Sequence, residues 1–410
     1  MRKDITILSF ILISLSLFSF VRAQNLPQLF YDKEETARKS FKNYEKTTSI
    51  KKVEIDFSIL DPERTMPRRI LANLPDKNLI IERKKVISEK ENFSWFGTVK
   101  GNRFSNVIFT VKDEKMFGEI NTGNELYSIE PKGKSHKIIK EDYTKMIPIC
   151  GGALTPPSTY DSDEKKSFKA NAADSGNRID VLVLYTSAIK LKYKNKLKTL
   201  IKHYADIANQ GYENSNIDLK LKIVAFKPFY DTEASELYNT SEALQYITQN
   251  KDVKLLRRKY KADLVCLVRQ FKHRKNNSSC GTAWLMTTVD QSFSRLGYSV
   301  VEVKKRTRHG YYCDKRTFAH EIGHNLGCAH DRAHSSGQGA YEYSYGYKVP
   351  GKFSTIMSYG SHKITYFSTP LKKYKKYPIG KDIYEYKPAY NALTIEQTKG
   401  TVANFKKGRK

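Results

Sequence analysis

The pattern of apolar and polar residues divides the chain into two parts. Up to about residue 150, short apolar runs are separated by glycine and asparagine, which is typical of antiparallel strands joined by tight turns. The runs are VEIDFSIL, NLIIERKKVI, NFSWFGTVKG, SNVIFTVKD, MFGEI and ELYSIEP. They predict a small, mostly antiparallel β domain, and no catalytic constellation is visible within it.

The second part of the chain alternates β-branched runs with segments in which apolar residues recur at helical spacing. This alternation indicates an α/β layer, in which strands and helices pack against each other. The predicted strands are residues 178–185, 219–226, 262–268 and 299–303, and the predicted helices are residues 196–212, 253–260, 317–326 and 391–405.

A segment without periodicity separates the two parts. It reads GGALTPPSTYDSDEKKSFKANAADSGN, and its glycine, proline, serine, aspartate and lysine are typical of a linker. Lys165, Lys166 and Lys169 would be exposed there to a trypsin-like activating protease, although a passive tether is the alternative. The expected division is a β domain of residues 24–150, a linker of residues 151–177 and a second domain of residues 178–410.

The N-terminus predicts export. Arg2 and Lys3 form a basic start, residues 5–20 are apolar, and residues 21–23 place a small residue at a cleavage site before Gln24. An uncleaved membrane anchor is the alternative, because the apolar run approaches spanning length. We therefore expect a secreted, extracellular protein whose cysteines meet an oxidising environment.

The composition gives the chain a large net positive charge. Hydrophobic residues make up 39% of the chain, which favours a packed globular protein, and the formal net charge is +29 at pH 7. Such a charge favours polyanions or extracellular matrix as contacts, and a solubility role explains it equally well. We expect a monomer without a stable nucleic-acid partner.

The strongest chemical signal is the segment HEIGHNLGCAHD, which begins at His320. On a helix, His320 and His324 project from one face and can hold zinc at about 2.0–2.1 Å. Glu321 can take a proton from zinc-bound water and pass it to a leaving amine. Gly327 can adopt a positive φ and reverse the chain, which brings His330 round as a third ligand. Three protein ligands leave one position open, as in catalytic zinc sites.

This HExxHxxGxxH pattern resembles the zinc site of the metzincin peptidases. Their second mark, a methionine turn, is matched by FSTIMSYG, which places Met357 27 residues after His330. Asp331, the segment CGTAWLM and the phrase TFAHEIGHNLG resemble the reprolysin (adamalysin) branch. The resemblance implies a secreted zinc endopeptidase with a propeptide. It also implies a twisted mixed sheet, with an active-site helix above the cleft and a smaller irregular part below it.

The chain departs from that branch two residues after Met357. Tyr359 stands where animal adamalysins usually have proline, whereas astacins and serralysins carry a tyrosine that can reach the zinc or stabilise the oxyanion. The alternative is that Tyr359 only packs against its neighbours. We expect Asp331 to orient the turn through hydrogen bonds, and His334 and His362 to be surface or supporting residues rather than ligands.

The chain has five cysteines, so at least one is free or pairs with another chain. The family resemblance implies a Cys280–Cys313 disulfide, which leaves Cys266 to pair with Cys328. Cys150, in KMIPICGG, resembles the inhibitory cysteine in the prodomains of reprolysins and matrix metalloproteinases. As a thiolate it can occupy the open zinc position and keep the enzyme latent. The alternative is an unpaired cysteine or an intermolecular disulfide.

The expected function is therefore hydrolysis of peptide bonds in extracellular proteins, by a zymogen that an activating protease converts. The alternative is a catalytically inactive, zinc-containing basic protein that binds polyanions or extracellular matrix. Glu321 argues against this alternative, since inactive relatives often lose that residue. Calcium binding, substrate identity and the maturation site are left open by the sequence.

Overall fold

A computed structural model of the chain describes residues 26–33, 49–89, 92–146, 150–157, 176–230, 238–271, 279–303 and 312–406. They form two units. The β unit contains the described residues up to 122 and residues 127–140, and the α/β unit contains residues 123–126 and the described residues from 141 onward. The expected signal peptide and the lysines around Lys165 lie outside the described residues. No helix among those described is long and apolar enough to cross a bilayer.

The β unit is a single sheet of nine strands in the order β1-β2-β9-β8-β7-β6-β5-β4-β3. The strands are β1 Phe30–Asp32, β2 Ile50–Ile55, β3 Arg69–Asn73, β4 Asn78–Glu89, β5 Asn92–Val99, β6 Asn102–Lys112, β7 Lys115–Asn121, β8 Leu126–Lys132 and β9 Ser135–Lys140. From β3 to β7 each strand pairs antiparallel with the next, and β1–β2, β2–β9 and β8–β9 are also antiparallel. This agrees with the predicted antiparallel β domain.

The core of the β unit is apolar and aromatic. Alternation along the strands turns every second side chain to the same face. Trp95 on β5 stacks on Phe109 of β6 with ring centroids 5.5 Å apart, and both side chains are buried. Burial of aromatic surface of this kind is a large favourable term in folding.

The α/β unit contains a five-stranded mixed sheet in the order β11-β10-β12-β14-β13. The strands are β10 Arg178–Thr186, β11 Lys220–Phe229, β12 Leu264–Gln270, β13 Gly281–Ala283 and β14 Tyr298–Val303. The first four strands of that order are parallel, and β13 runs antiparallel to β14 at the edge. Four of these strands match the predicted ones. The short edge strand β13 was not predicted.

Six α-helices belong to this unit. They are α1 Ser187–Tyr193, α2 Leu197–Asn214, α3 Thr240–Gln249, α4 Lys251–Lys259, α5 Thr317–Asn325 and α6 Asn391–Ala403. Helices α2, α4, α5 and α6 match the prediction. Helix α3 was missed although Asn239 and Glu242 form a capping box at its start, a recognisable local signal.

Short strand pairs complete the C-terminal part of the α/β unit. They are β15 Ala329–Asp331 with β16 Tyr345–Gly346, β17 Lys348–Val349 with β18 Phe353–Ser354, and β19 Lys373–Tyr374 with β20 Tyr377–Pro378. They are joined by turns and irregular segments.

The α/β unit begins earlier than the expected boundary at residue 150. Residues from 141 onward group with it, and Met146 bridges to Tyr312. The first residues of the expected linker lie along the edge strand β13. The Leu154 amide donates to the carbonyl of Ala283 at 3.0 Å, and the Leu285 amide donates to the carbonyl of Leu154 at 2.9 Å. An edge strand offers unpaired backbone groups, and residues 151–154 pair with those of β13.

One of the two predicted disulfides is present and the other is wrong. Cys280 and Cys313 are bonded, with Cα atoms 5.6 Å apart. Cys266 and Cys328 are buried and free. Cys266 lies within the sheet on β12 with its thiol bonded to Ser299, whereas Cys328 donates to the carbonyl of Asn391 on α6 at 3.8 Å. The two thiols therefore have different partners.

Candidate active site

Helix α5 carries three of the predicted site residues, and all nine residues of the helix are buried. His320 and His324, one turn apart, share a face. On another side of the helix, Gly323 lies against Met357, where an added β-carbon would be 2.5 Å from the methionine sulfur. Met357 therefore packs directly on the helix, in the place expected of a methionine turn.

Backbone carbonyls orient both imidazoles of the helix. The Nδ1 atom of His320 lies 2.8 Å from the carbonyl oxygen of Ile356, and that of His324 lies 2.7 Å from the carbonyl oxygen of Cys328. A carbonyl only accepts hydrogen bonds, so each Nδ1 carries the proton and donates it. Each Nε2 atom is left with a lone pair, which is the form that binds metals.

The third imidazole reaches the same point because the chain reverses after the helix. Gly327 has φ of +83°, a conformation that L side chains rarely adopt, and its amide donates to the carbonyl of His324 at 2.9 Å. The turn leads into β15, which carries His330. The Nε2 atom of His330 lies 3.0 Å from that of His324 and 3.1 Å from that of His320.

These separations fit a single zinc ion. The Nε2 atoms of His320 and His324 are themselves 3.1 Å apart. Two nitrogens held about 2.0–2.1 Å from a tetrahedral zinc would be about 3.3 Å apart. Three lone pairs that face one another would repel without a cation between them. The geometry therefore suits the metal that the motif predicts.

Glu321 lies beside this cluster and is fully buried. Its carboxylate occupies the space next to Gly281, where an added β-carbon would overlap the Glu321 Oε1 atom. Gly281 is thus required for the placement of Glu321, although the sequence alone did not mark it as a site residue. Burial raises the pKa of the Glu321 carboxyl well above its usual range.

Cys150 completes the group. Its sulfur lies 3.7 Å from Nε2 of His324 and 3.8 Å from Oε2 of Glu321, and its side chain is buried. A sulfur and a nitrogen on one tetrahedral zinc would be about 3.5 Å apart. The ligand atoms of Cys150 and the three histidines all lie within 4.8 Å of one another. The structure thus brings the predicted inhibitory cysteine to the predicted metal site.

Asp331 and Tyr359 support the rim of the site. Asp331 accepts a hydrogen bond from the Tyr359 amide at 2.8 Å and bonds His334 Nδ1 at 2.8 Å. The Tyr359 hydroxyl donates to the carbonyl of Cys150 at 2.5 Å. His362 does not approach the cluster and instead packs on Tyr143 with ring centroids 4.8 Å apart.

Burial controls the protonation of the cluster. It lowers the pKa of His320 and His324 well below the usual value and that of His330 to about 4, so the imidazoles are neutral at pH 7. Burial also raises the pKa of the Cys150 thiol, and the nearby Glu321 charge raises it further. A bound dication would oppose both effects on the thiol and favour the thiolate.

Comparison with known proteins agrees with this chemistry. The model of metallo-peptidase family M12 (Reprolysin_5) matches residues 175–368. A peptidyl-Asp metalloendopeptidase of Xanthomonas campestris is 26% identical over 315 aligned residues, covering 74% of this chain and 70% of that protein. A peptidyl-Asp metalloendopeptidase of Pseudomonas aeruginosa is 31% identical over 206 residues, covering 46% of this chain and 33% of that protein.

Similarity to solved structures is weaker. Metalloproteinase-II from Bacteroides fragilis has a TM-score of 0.41 and 12% sequence identity, covering 73% of this chain and 86% of that chain. A similarity of this size carries no functional conclusion. The family match, in contrast, contains the whole histidine–glutamate segment, and the sequence relatives are named as metalloendopeptidases. This chain is therefore a zinc metalloendopeptidase, and its residues 175–368 resemble metallo-peptidase family M12.

Proposed function

We propose that the chain is exported as a latent precursor, in which His320, His324 and His330 hold zinc and the thiolate of Cys150 occupies the fourth position. The observation that carries this proposal is the convergence of three Nε2 atoms and one sulfur on a single point, with Glu321 beside them. The naming of the relatives as metalloendopeptidases supports peptide hydrolysis as the reaction of this set of groups.

Departure of Cys150 would leave space for water and substrate next to Glu321. Zinc held by His320, His324 and His330 would supply Lewis-acid chemistry there, which activates water and polarises a carbonyl. Glu321 takes the proton of the attacking water at Oε2, the oxygen that now faces the Cys150 sulfur, and returns it to the departing amide nitrogen. No covalent acyl-enzyme is required.

Two further groups would position the substrate. The carbonyls of Gly281 and Ala283 on β13 now accept amide hydrogens of residues 151 and 154, and they can accept those of a substrate strand. The Tyr359 hydroxyl, which now donates to the carbonyl of Cys150, is placed to donate to a substrate carbonyl as negative charge develops there.

The catalytic role of Glu321 is tested by Glu321→Gln, which keeps the shape of the side chain and removes the base. We expect cleavage of a peptide library to fall by more than about 100-fold, because proton transfer of this kind contributes about 10²–10⁴-fold. Zinc content, measured by atomic absorption, should stay at one per chain. Proteolysis that survived the substitution would contradict the mechanism.

Latency is tested by Cys150→Ala in the uncleaved precursor. Removal of the thiol opens the fourth position, so the variant precursor should cleave peptides at once, whereas the unaltered precursor should need activation. Cys328→Ala is the matched control, since Cys328 is also a buried free thiol but donates to Asn391. Equal latency in all three precursors would end the proposal of a cysteine switch.

The unaltered precursor can also be used to locate the maturation cleavage site. We propose that cleavage near Lys165, Lys166 and Lys169 releases the active enzyme, and that residues 1–23 direct export. N-terminal sequencing of secreted and activated forms would give both cleavage sites. A mature N-terminus upstream of Cys150 would show that maturation does not remove the thiol.

The names of the relatives suggest a substrate preference. We propose that this enzyme also cleaves next to aspartate, by analogy with the peptidyl-Asp metalloendopeptidases. Peptides that differ only by aspartate or asparagine next to the scissile bond provide the measurement, and equal rates on both would reject the preference. The inactive, polyanion-binding alternative is not favoured, since the relatives are named as endopeptidases.

A further inference from the structure

A second concave region of the α/β unit is lined by five cationic residues. Lys254, Arg257, Arg258, Arg295 and Lys406 surround a cavity of about 690 Å³, which also contacts Trp284 and Pro157. None of the described residues that line it is acidic. We call this cavity the basic pocket.

The floor of the basic pocket carries a fixed positive charge. Arg257 is 2% exposed, and its guanidinium donates to the backbone carbonyls of Ala262, Asp263 and Ser294. These neutral partners hold the side chain in place without cancelling its charge. Lys254 and Arg258 are exposed at the rim, where a ligand can reach them.

The surrounding groups leave this charge largely uncompensated. Burial and the charges of Arg257 and Arg258 lower the pKa of Lys406. The nearby carboxyl of Asp263 has its pKa raised to about 8, chiefly by burial, so it is mostly protonated at pH 7. A negatively charged group that entered the basic pocket would therefore meet Lys254, Arg257 and Arg258, and no acidic residue among the described residues that line the cavity.

The chain itself shows how a polypeptide reaches this pocket from the active site. Cys150 lies at the histidine cluster, residues 151–154 follow β13, and Pro157 contacts the basic pocket. Pro157 is the seventh residue after Cys150, which corresponds to at most about 25 Å of extended chain. Any polypeptide that binds along β13 can thus extend from the scissile bond to the cationic residues.

We propose that the basic pocket is a substrate subsite that binds an acidic side chain several residues away from the scissile bond. The proposal rests on the proposed function, since it takes the path along β13 as the substrate cleft. It differs from a preference next to the scissile bond, because the cationic residues lie at the far end of that path.

The test uses zinc-loaded, activated enzyme and a set of peptides with one common cleavage sequence. A single aspartate is placed at each position up to eight residues on either side of the scissile bond, with asparagine at the same position as the reference. We expect aspartate to raise kcat/KM by about 5- to 20-fold at positions four to seven residues away on one side only, because charge-assisted hydrogen bonds to several cations contribute about 1–2 kcal/mol.

The paired substitution Lys254→Glu with Arg258→Glu should abolish this advantage and favour lysine at the same positions. Arg257 is left unchanged because its bonds to three carbonyls support the fold. The matched control is Lys373→Glu with Lys376→Glu, two exposed lysines of the β19–β20 hairpin that do not line the basic pocket. The control changes the net charge by the same amount but leaves the basic pocket intact, so it should keep the advantage of aspartate over asparagine.

Binding without turnover gives a second readout. Activated protein carrying Glu321→Gln should bind the fluorescent aspartate peptide about 5- to 20-fold tighter than the asparagine peptide in an anisotropy titration. Equal affinities, together with normal cleavage by the unaltered enzyme, would overturn the subsite and leave the proposed function intact. Absence of cleavage of every peptide by the unaltered enzyme would instead contradict the proposed function.

A polyanion surface is the competing outcome. If heparin at low salt binds through Lys254 and Arg258 while the position of aspartate in the peptide has no effect on either readout, the basic pocket serves a polyanion and the subsite proposal is overturned. A positional effect that disappears in the Lys254→Glu, Arg258→Glu enzyme supports the subsite.

Discussion

The β unit and the α/β unit are both built on a sheet, but ionisable side chains are buried mainly in the α/β unit. Large aromatic side chains such as Trp95 and Phe109 fill the core of the β unit. The α/β unit buries the ionisable side chains of His320, Glu321 and His324. Burying such groups is costly unless each finds a partner. The β unit buries fewer ionisable groups, Glu119 and His136 among them, so the cost of burying such groups falls mainly on the α/β unit.

Partners in the α/β unit explain how that cost is limited. Arg316 and Asp314 form a fully buried ion pair at 2.9 Å, and the Arg316 side chain also donates to Thr365 at 3.2 Å. Lys363 donates to the carbonyls of Thr355 and Ser358, which lie in the methionine turn. This network holds the backbone that in turn orients His320 through Ile356. Sequence reasoning missed it, because its members have no motif of their own.

The largest expected effect follows from a substitution of His324 in the α/β unit. His324→Ala removes one of the three converging imidazoles, so we expect zinc to be lost on dialysis and cleavage to fall by more than about 100-fold. The control is His334→Ala, since His334 bonds Asp331 but lies outside the cluster. Zinc content and peptide cleavage of both proteins provide the measurement. A His324→Ala protein that kept its zinc would contradict the view that the buried imidazoles of the α/β unit hold the metal.

A substitution in the core of the β unit should affect stability and leave zinc binding unchanged. Trp95→Ala should lower the free energy of unfolding by about 3–5 kcal/mol, because it removes a fully buried aromatic side chain. Zinc binding per folded molecule should stay unchanged. Trp95→Phe is the control, and it should cost less because it keeps most of the volume and removes an indole N–H that lacks a partner among the described residues. Denaturant unfolding measures both.

The effect of buried charge on stability can be isolated at Lys363. Burial lowers its pKa to about 7, so between pH 7 and the usual lysine pKa the unfolded chain binds more protons than the folded chain. Stability from this residue therefore rises with pH in that window. The difference in unfolding free energy between the unaltered protein and Lys363→Met should grow by about 2 kcal/mol from pH 7 to pH 9. A constant difference would refute this account.

The smallest expected effect concerns the helix that the sequence reasoning missed. Asn239 caps α3 by accepting a hydrogen bond from the Glu242 amide at 2.9 Å. Asn239→Ala should cost about 1 kcal/mol of unfolding free energy, whereas Asn239→Ser should cost little because serine also caps helices. Thermal unfolding with catalytic activity as a second readout measures this. An activity loss without a stability loss would point to a role beyond capping.

Local features were the ones that the sequence predicted well. The spacing of His320 and His324 placed them on one helical face, and Gly327 marked the reversal that the structure contains. Both follow from backbone geometry within a few residues. Cys266 and Cys328 show the limit, because the proposed pairing depended on where a strand and a turn pack, and neither can be read from spacing.

The sequence by itself determined the helix and the turn, because each depends on hydrogen bonds between residues at most a few positions apart. It also supplied directly the residue types that bind a metal. Only the tertiary structure decided that Cys150 lies 3.7 Å from His324, across 174 residues of chain. It also decided that Lys254, Arg258 and Lys406 surround one cavity. Such contacts arise from the packing of whole elements against each other, which no local pattern specifies.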